Sequence, residues 1–318
     1  MPPKQILYRK REDAAMPGKS HKSDKSDTQT YHITGVQQLT EEQAQQARAL
    51  RDLCNQQDGL DLKLGISASF RSPISEPYAL LCMVDGALVG FCTLSGDNGP
   101  ELELCGMVHP TYRRRGIGRA LLDAALESAQ RRLAVLRLLV ICEDASASGR
   151  AFVAAAGGAH SFSENRMETD TPPARTTPKR LDVRPAGPAD APDLAHIISV
   201  SFGQSDDHMP EEIARDMAQA GERYYLARLD AAPVGAFKIF VDRPKAYIYA
   251  FGVLPDYRRQ GYGREILEDI IPRLFDEGWT AVGLEVDADN TPAQALYRAV
   301  GFHDVTVYGY YALETAPQ

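Results

Sequence analysis

No apolar run in this chain of 318 residues approaches the ~18–20 needed to cross a bilayer, and its N-terminus has no apolar centre of the kind a secretory signal carries. A soluble, cytoplasmic protein is expected, with no membrane partner. Cysteine is scarce: five residues, at 54, 82, 92, 105 and 142, with no CxxC pair and no histidine-rich cluster beside them. That spacing excludes a disulfide framework and argues against a zinc site, so buried, reduced thiols and no metal are expected. Basic charge is also short. The net charge is −8, and residues 181–318 hold 12 Lys and Arg against 22 Asp and Glu. Phosphate repulsion makes such a chain a poor nucleic-acid binder; the acidic excess serves solubility or draws a cationic, amine-bearing partner. Residues 1–30 are basic, rich in Lys, Ser and Asp and without apolar periodicity, so they read as a disordered tail; Glu12, Asp13, Asp24 and Asp27 spoil any transit-peptide character.

What the sequence does contain is one device written twice. Val253 to Leu267 reads VLPDYRRQGYGREIL, and Val108 to Leu122 reads VHPTYRRRGIGRALL, identical at 9 of 15 positions. Each begins as the end of an apolar strand, turns at a proline, and places arginines and glycines at the start of an amphipathic helix. The first-turn N–H groups of a helix lack intrahelical partners and the helix dipole adds positive potential. Glycines let a ligand approach closely, so each copy is a phosphate cradle.

The surrounding pattern repeats as well. Residues 31–169 read as strand, helix, a hairpin turning at Asp85-Gly86, a strand into the first cradle, helix, strand, helix and strand. Residues 170–180, DTPPARTTPKR, have three prolines and no apolar face and read as a linker; residues 181–318 then repeat the order. The expected fold is α/β (α+β), two tandem domains, each a mixed, mostly antiparallel sheet flanked by helices.

Taken together, strand, Val-x-Pro, aromatic, arginines, Gly-x-Gly and helix resemble the GCN5-related N-acetyltransferase (GNAT) family over 31–318 apart from the linker. The resemblance implies acetyl-coenzyme A as cofactor, its pyrophosphate held by the loop backbone. The cofactor-binding residues carried over are Val253, Arg258, Arg259, Gln260, Gly261, Tyr262, Gly263 and Arg264 in the second copy. In the first they are Val108, Arg113, Arg114, Arg115, Gly116, Ile117, Gly118 and Arg119. The stretch LEVDADNTPAQALYRAVGF from Leu284 to Phe302 resembles the family's other signature. It implies that Asn290 contacts the cofactor arm and that Tyr297 is the acid protonating the departing thiolate. In the first copy Ser146 falls at the position of Asn290 and Val153 at that of Tyr297. Valine moves no proton, so the N-terminal domain is expected to be non-catalytic, binding coenzyme A or vestigial, with Ser146 as a substitute donor the alternative. For the general base the strand AYIYAFGV offers no carboxylate; Glu285 is the nearest candidate, and a water relay involving Tyr249 competes with it.

The implied activity is acetyl transfer to an amine by direct attack in the C-terminal domain, the acceptor a small molecule and the protein a monomer or homodimer. The tandem layout, with its signature better kept in the second half, is similar to the mycothiol synthase branch of the family, which implies a cysteinyl pseudo-disaccharide as one acceptor. A protein or peptide amine is another. An acyl-coenzyme A sensing module without turnover is the alternative from a different class.

Overall fold

The computed structural model describes residues 6–8, 31–68, 70–72, 74–96, 99–132, 134–203, 209–218, 222–242 and 244–315. It divides into two compact units, residues 1–162 with 308–318, and residues 163–307. In chain order the elements are β1 (Ile6–Tyr8), β2 (His32–Val36), α1 (Glu41–Asp58), β3 (Ala79–Val84), β4 (Ala87–Ser95), β5 (Glu101–Val108), α2 (Ile117–Gln130), β6 (Arg137–Glu143), α3 (Ala147–Ala155) and β7 (Ala159–Thr169). There follow β8 (Leu181–Pro185), α4 (Ala191–Phe202), α5 (Met209–Asp216), β9 (Glu222–Leu229), β10 (Ala232–Asp242), β11 (Lys245–Val253), α6 (Tyr262–Asp276), β12 (Ala281–Asp287), α7 (Thr291–Ala299) and β13 (His303–Glu314).

In the first unit β1 to β5 run as an antiparallel meander, β5 pairs parallel with β6, and Tyr308–Glu314 of β13 close the sheet antiparallel to β6. In the second unit β8, β9, β10 and β11 are antiparallel neighbours, β11 pairs parallel with β12, and residues 164–169 of β7 close the sheet antiparallel to β12. The closing strand of each unit thus comes from the other half of the chain, where the sequence had each half close its own sheet. Both strands alternate suitably, and nothing local distinguishes one edge from the other. A second difference lies in the basic tail, where the β-prone triplet Ile6–Tyr8 extends the edge of β2. The remainder of residues 1–30 lies outside the described residues.

Local signals behave as their chemistry dictates. Thr40 and Gln43 form the capping box that opens α1, and the Asp85-Gly86 turn has both residues at positive φ, 49° and 81°. Each unit has its cores on the two faces of its sheet. In the second, Ile248, Leu284 and Val286 pack with Ile266 and Ile270 of α6 and Tyr297 of α7, while α4 and α5 cover the opposite face around Leu194, Leu226 and Ala236. All five cysteines are buried and free, and burial raises every thiol pKa, that of Cys105 to about 12 and that of Cys142 to about 11. Among the described residues no helix is long and apolar enough to cross a membrane, and no cluster of His, Cys, Asp and Glu could hold a metal ion.

Candidate active site

The two glycine loops are conformational copies. Each starts with a single 3-10 turn, Pro110–Tyr112 or Pro255–Tyr257. Arg113 (φ −64°, ψ 159°) corresponds to Arg258 (−68°, 158°), Arg114 (φ 63°) to Arg259 (61°), and Gly116 (φ 83°) to Gly261 (88°). The left-handed glycine immediately before each helix turns the chain so that successive N–H groups face one side. At the second glycine space is tight in the C-terminal loop and ordinary in the N-terminal one. A Cβ on Gly263 would lie 3.2 Å from the Leu296 side chain, and one on Gly118 would lie 3.5 Å from the Phe152 ring.

Arg114 and Arg259 are exposed at the loop, but the other arginines are tied down. The Nε–H of Arg258 donates to the carbonyl of Val253 (2.7 Å) and that of Arg113 to the carbonyl of Val108 (3.0 Å), so each ties its loop back to the strand that leads into it. Arg113 also forms a bidentate pair with Asp58, Arg264 pairs with Glu268 and donates to the Ala299 carbonyl, and Arg119 pairs with Asp123. Gln260 donates to the Asp256 carbonyl, the Arg115 guanidinium lies 5.1 Å over the Tyr112 ring, and Tyr262 and Ile117 are buried core. The loop therefore offers a phosphate its backbone donors, with Arg113 and Arg258 holding the shape and the exposed Arg114 and Arg259 adding positive charge. A cofactor diphosphate fits such a cradle, with first-turn N–H groups on one side and, at Gly263, only tight space for a Cβ.

Beside each loop the parallel strand pair splits. In the second unit the last pair is Ile248 with Leu284; in the first it is Leu104 with Val140. Strand alternation places the next residues, Tyr249 and Glu285, on the α4 side of the split, opposite the face that packs on α6. A bulge at Ala250 (φ 49°) interrupts the β10–β11 register just beyond Tyr249. Glu285 faces Arg166 across the β7–β12 ladder, and Arg166 donates to the Tyr247 hydroxyl (2.9 Å).

Tyr297 lies on the other side of the sheet. It is 6% exposed, its ring 6.2 Å from that of Phe251 and 5.9 Å from that of Phe302, and burial raises its pKa well above the ordinary value of 10. The phenol therefore keeps its proton across the physiological range and has one to give. Asn290 caps α7, its Oδ1 accepting the Ala293 N–H at 3.2 Å; Ser146 caps α3 in the same way through Gly149 at 3.1 Å. The capping role of Ser146 explains its presence without proton transfer.

At the positions of Tyr249, Glu285 and Tyr297 the first unit has Cys105, Ile141 and Val153. It nonetheless encloses a cavity of about 540 Å³, running from Arg113, Gly116 and Gly118 past Phe152 to the split at Cys105 and Ile141. The far side is strapped by the segment after α1. The Asp61 N–H donates to Glu143 (2.8 Å), and the Tyr308 hydroxyl donates to the Asp61 carbonyl (2.5 Å).

A sheet split beside a glycine cradle, built twice, is the architecture of a tandem acyl-coenzyme A-dependent acyltransferase. The sequence model of the acetyltransferase (GNAT) family matches residues 39–157 and 191–302. Among curated relatives, a mycothiol acetyltransferase of Clavibacter sepedonicus is 32% identical, the match spanning 67% of this chain and 72% of that protein. One of Thermomonospora curvata is 30% identical, spanning 83% and 91%. Among solved structures, a tandem GNAT protein from the clavulanic acid biosynthesis pathway shares the fold with a TM-score of 0.67, at 20% identity, over 91% of this chain and 100% of that one. The chain belongs to the GNAT acetyltransferase family and is an acetyl-coenzyme A-dependent N-acetyltransferase.

Proposed function

We propose that acetyl transfer takes place in the C-terminal unit, to a small-molecule amine, and that the N-terminal unit binds coenzyme A without turnover. One comparison carries this reading. At three equivalent positions around the strand split the C-terminal unit has Tyr249, Glu285 and Tyr297, where the N-terminal unit has Cys105, Ile141 and Val153.

Acetyl-coenzyme A supplies an acetyl group already activated as a thioester. The N–H groups of residues 261–264 hold the diphosphate, with Asn290 and the main chain of Val253 along the arm. Glu285, or water held by Tyr249, takes a proton from the incoming ammonium on the α4 side of the sheet. Tyr297, on the α6 side, gives its proton to the departing sulfur. The amine thus adds to the thioester carbonyl from the α4 side, and the thiolate is expelled beside its proton donor on the α6 side as the carbonyl re-forms. The net change is one N–C bond formed, one C–S bond broken and two protons lost from the ammonium nitrogen: one leaves through the base to solvent, and one, shed as the amide forms, replaces the proton that Tyr297 has given to the sulfur.

The acceptor is an amine that gains from the acidic C-terminal half, and the naming of the relatives favours a mycothiol precursor. For the N-terminal unit, the cavity and the intact loop favour cofactor binding over a vestigial fold. The test is thiol release from acetyl-coenzyme A with a panel of amines, including a cysteinyl glucosamine-inositol. Turnover that survives in Tyr297→Phe at wild-type rate at every pH would overturn the assignment of the acid. Tight binding with no turnover on any amine would favour a sensing module instead.

A further inference from the structure

The Pro-rich segment before β8 reads as a spacer, yet it is fastened to α6 along its length. Glu268 accepts from the backbone N–H and the hydroxyl of both Thr176 and Thr177, at 2.6–2.9 Å. Asp269 pairs with Arg175 at 2.8 Å. Glu265 accepts from the backbone N–H groups of Arg180 and Leu181 and from the Arg180 Nε–H at 3.1 Å. The three carboxylates are 1%, 2% and 9% exposed, and burying three charges on one helix is costly unless each is fully partnered.

The fastening ends at the glycine loop. The Arg180 guanidinium lies 4.3 Å over the ring of Tyr262, and its Nη2 donates to the carbonyl of Gln260 at 3.1 Å. That carbonyl shares a trans peptide with the Gly261 N–H, so the two point in opposite directions. Holding the carbonyl to the rear turns the N–H to the front of the cradle. Glu265 lies in the first turn of α6, where an unpaired carboxylate would repel a bound phosphate; Arg180 neutralises it. Among its described residues the N-terminal unit shows no such device. Its counterparts of Glu265 and Asp269 are Ala120 and Ala124, and a Cβ on Gly116 would meet the Tyr31 hydroxyl at 3.6 Å.

We infer that Arg180 is a positioning residue of the C-terminal coenzyme A site, fixing the Gln260–Gly261 peptide and cancelling the charge of Glu265 so that the loop accepts the diphosphate. This rests on the reading that the C-terminal loop binds the cofactor. The experiment is hydrogen–deuterium exchange of the full chain titrated with coenzyme A, followed in the peptides covering residues 254–268 and 109–122. In Arg180→Ala, half-protection of 254–268 should need about tenfold more coenzyme A, as expected for losing a charge-assisted hydrogen bond. Protection of 109–122 should be unchanged, Arg180→Lys should recover part of the loss, and the shift should persist with 3′-dephospho-coenzyme A. If 254–268 is protected in the wild type but at the same concentration in Arg180→Ala, the inference is wrong. A shift that vanishes with the dephospho form overturns the diphosphate assignment. No protection of 254–268 in the wild type would instead defeat the underlying reading. An Arg180→Ala chain that exchanges fast throughout 163–307 before ligand is added would make Arg180 a folding residue and overturn the inference too.

Discussion

Replacing Glu268 with glutamine should remove a pH-dependent part of the stability of the C-terminal unit. Glu268 is 2% exposed. Burial alone would raise its pKa, but hydrogen bonds from Thr176 and Thr177 outweigh that and hold it at about 2, against 4.5 for a free glutamate. A folded pKa below the unfolded one means that the contribution is complete above pH ~4.5 and is lost as pH falls towards ~2. A depression of about 2.5 units corresponds to roughly 3 kcal/mol at neutral pH and about half that or less at pH 3. Trp279 is the sole tryptophan and lies in the second unit, so its fluorescence during urea unfolding reports on that unit. The gap between wild type and Glu268→Gln should be about 3 kcal/mol at pH 7 and should shrink by more than half at pH 3. Asp190, held at about 2 chiefly by its hydrogen bond from Arg184, keeps its own acid sensitivity in both proteins and cancels in the difference. A gap that is equally large at the two pH values, or under ~0.5 kcal/mol at pH 7, would refute the reasoning.

Tyr297→Phe should lower kcat by about 10²-fold with little change in unfolding midpoint, since burial is the one cause of its raised pKa and the ring packing survives; wild-type activity should show no fall from tyrosine ionisation near pH 10. Gly261→Ala places a side chain at φ 88° and should cost about 1–2 kcal/mol while weakening coenzyme A binding in the C-terminal unit, read by calorimetry. Two equivalents of coenzyme A per chain are expected from the matching loops, falling to one in Gly116→Val, measured by native mass spectrometry. Glu285→Gln should move the acidic limb of the kcat/KM profile for an amine acceptor, whereas an unchanged profile would leave the base role to water beside Tyr249.

The cradles were legible because glycine spacing and helix periodicity are local properties. Glu285 and Tyr297 align with Ile141 and Val153 from the sequence alone, but counting back from the loops sets Tyr249 opposite Leu104, and only the bulge at Ala250 moves it to Cys105. The fastened segment was not legible. Glu265, Glu268 and Asp269 sit on a helix among apolar residues and read as a solvent face, and only the partners that Thr176, Thr177 and Arg180 provide make them interior. The bulge at Ala250 was hidden because an extra residue in a strand leaves no compositional trace. Side-chain roles in the loop were also obscured: Arg258 and Arg113 look like phosphate ligands in the sequence, yet both brace a strand end.

The crossing of β7 and β13 governs the order in which the protein can be made. As the chain leaves the ribosome, β6 emerges long before its neighbour, Tyr308–Glu314. The N-terminal unit therefore waits, with one sheet edge open, until the second half of the chain has been made. Cutting the gene at the proline-rich segment would therefore leave each half without its closing strand, and neither half should be obtainable that way.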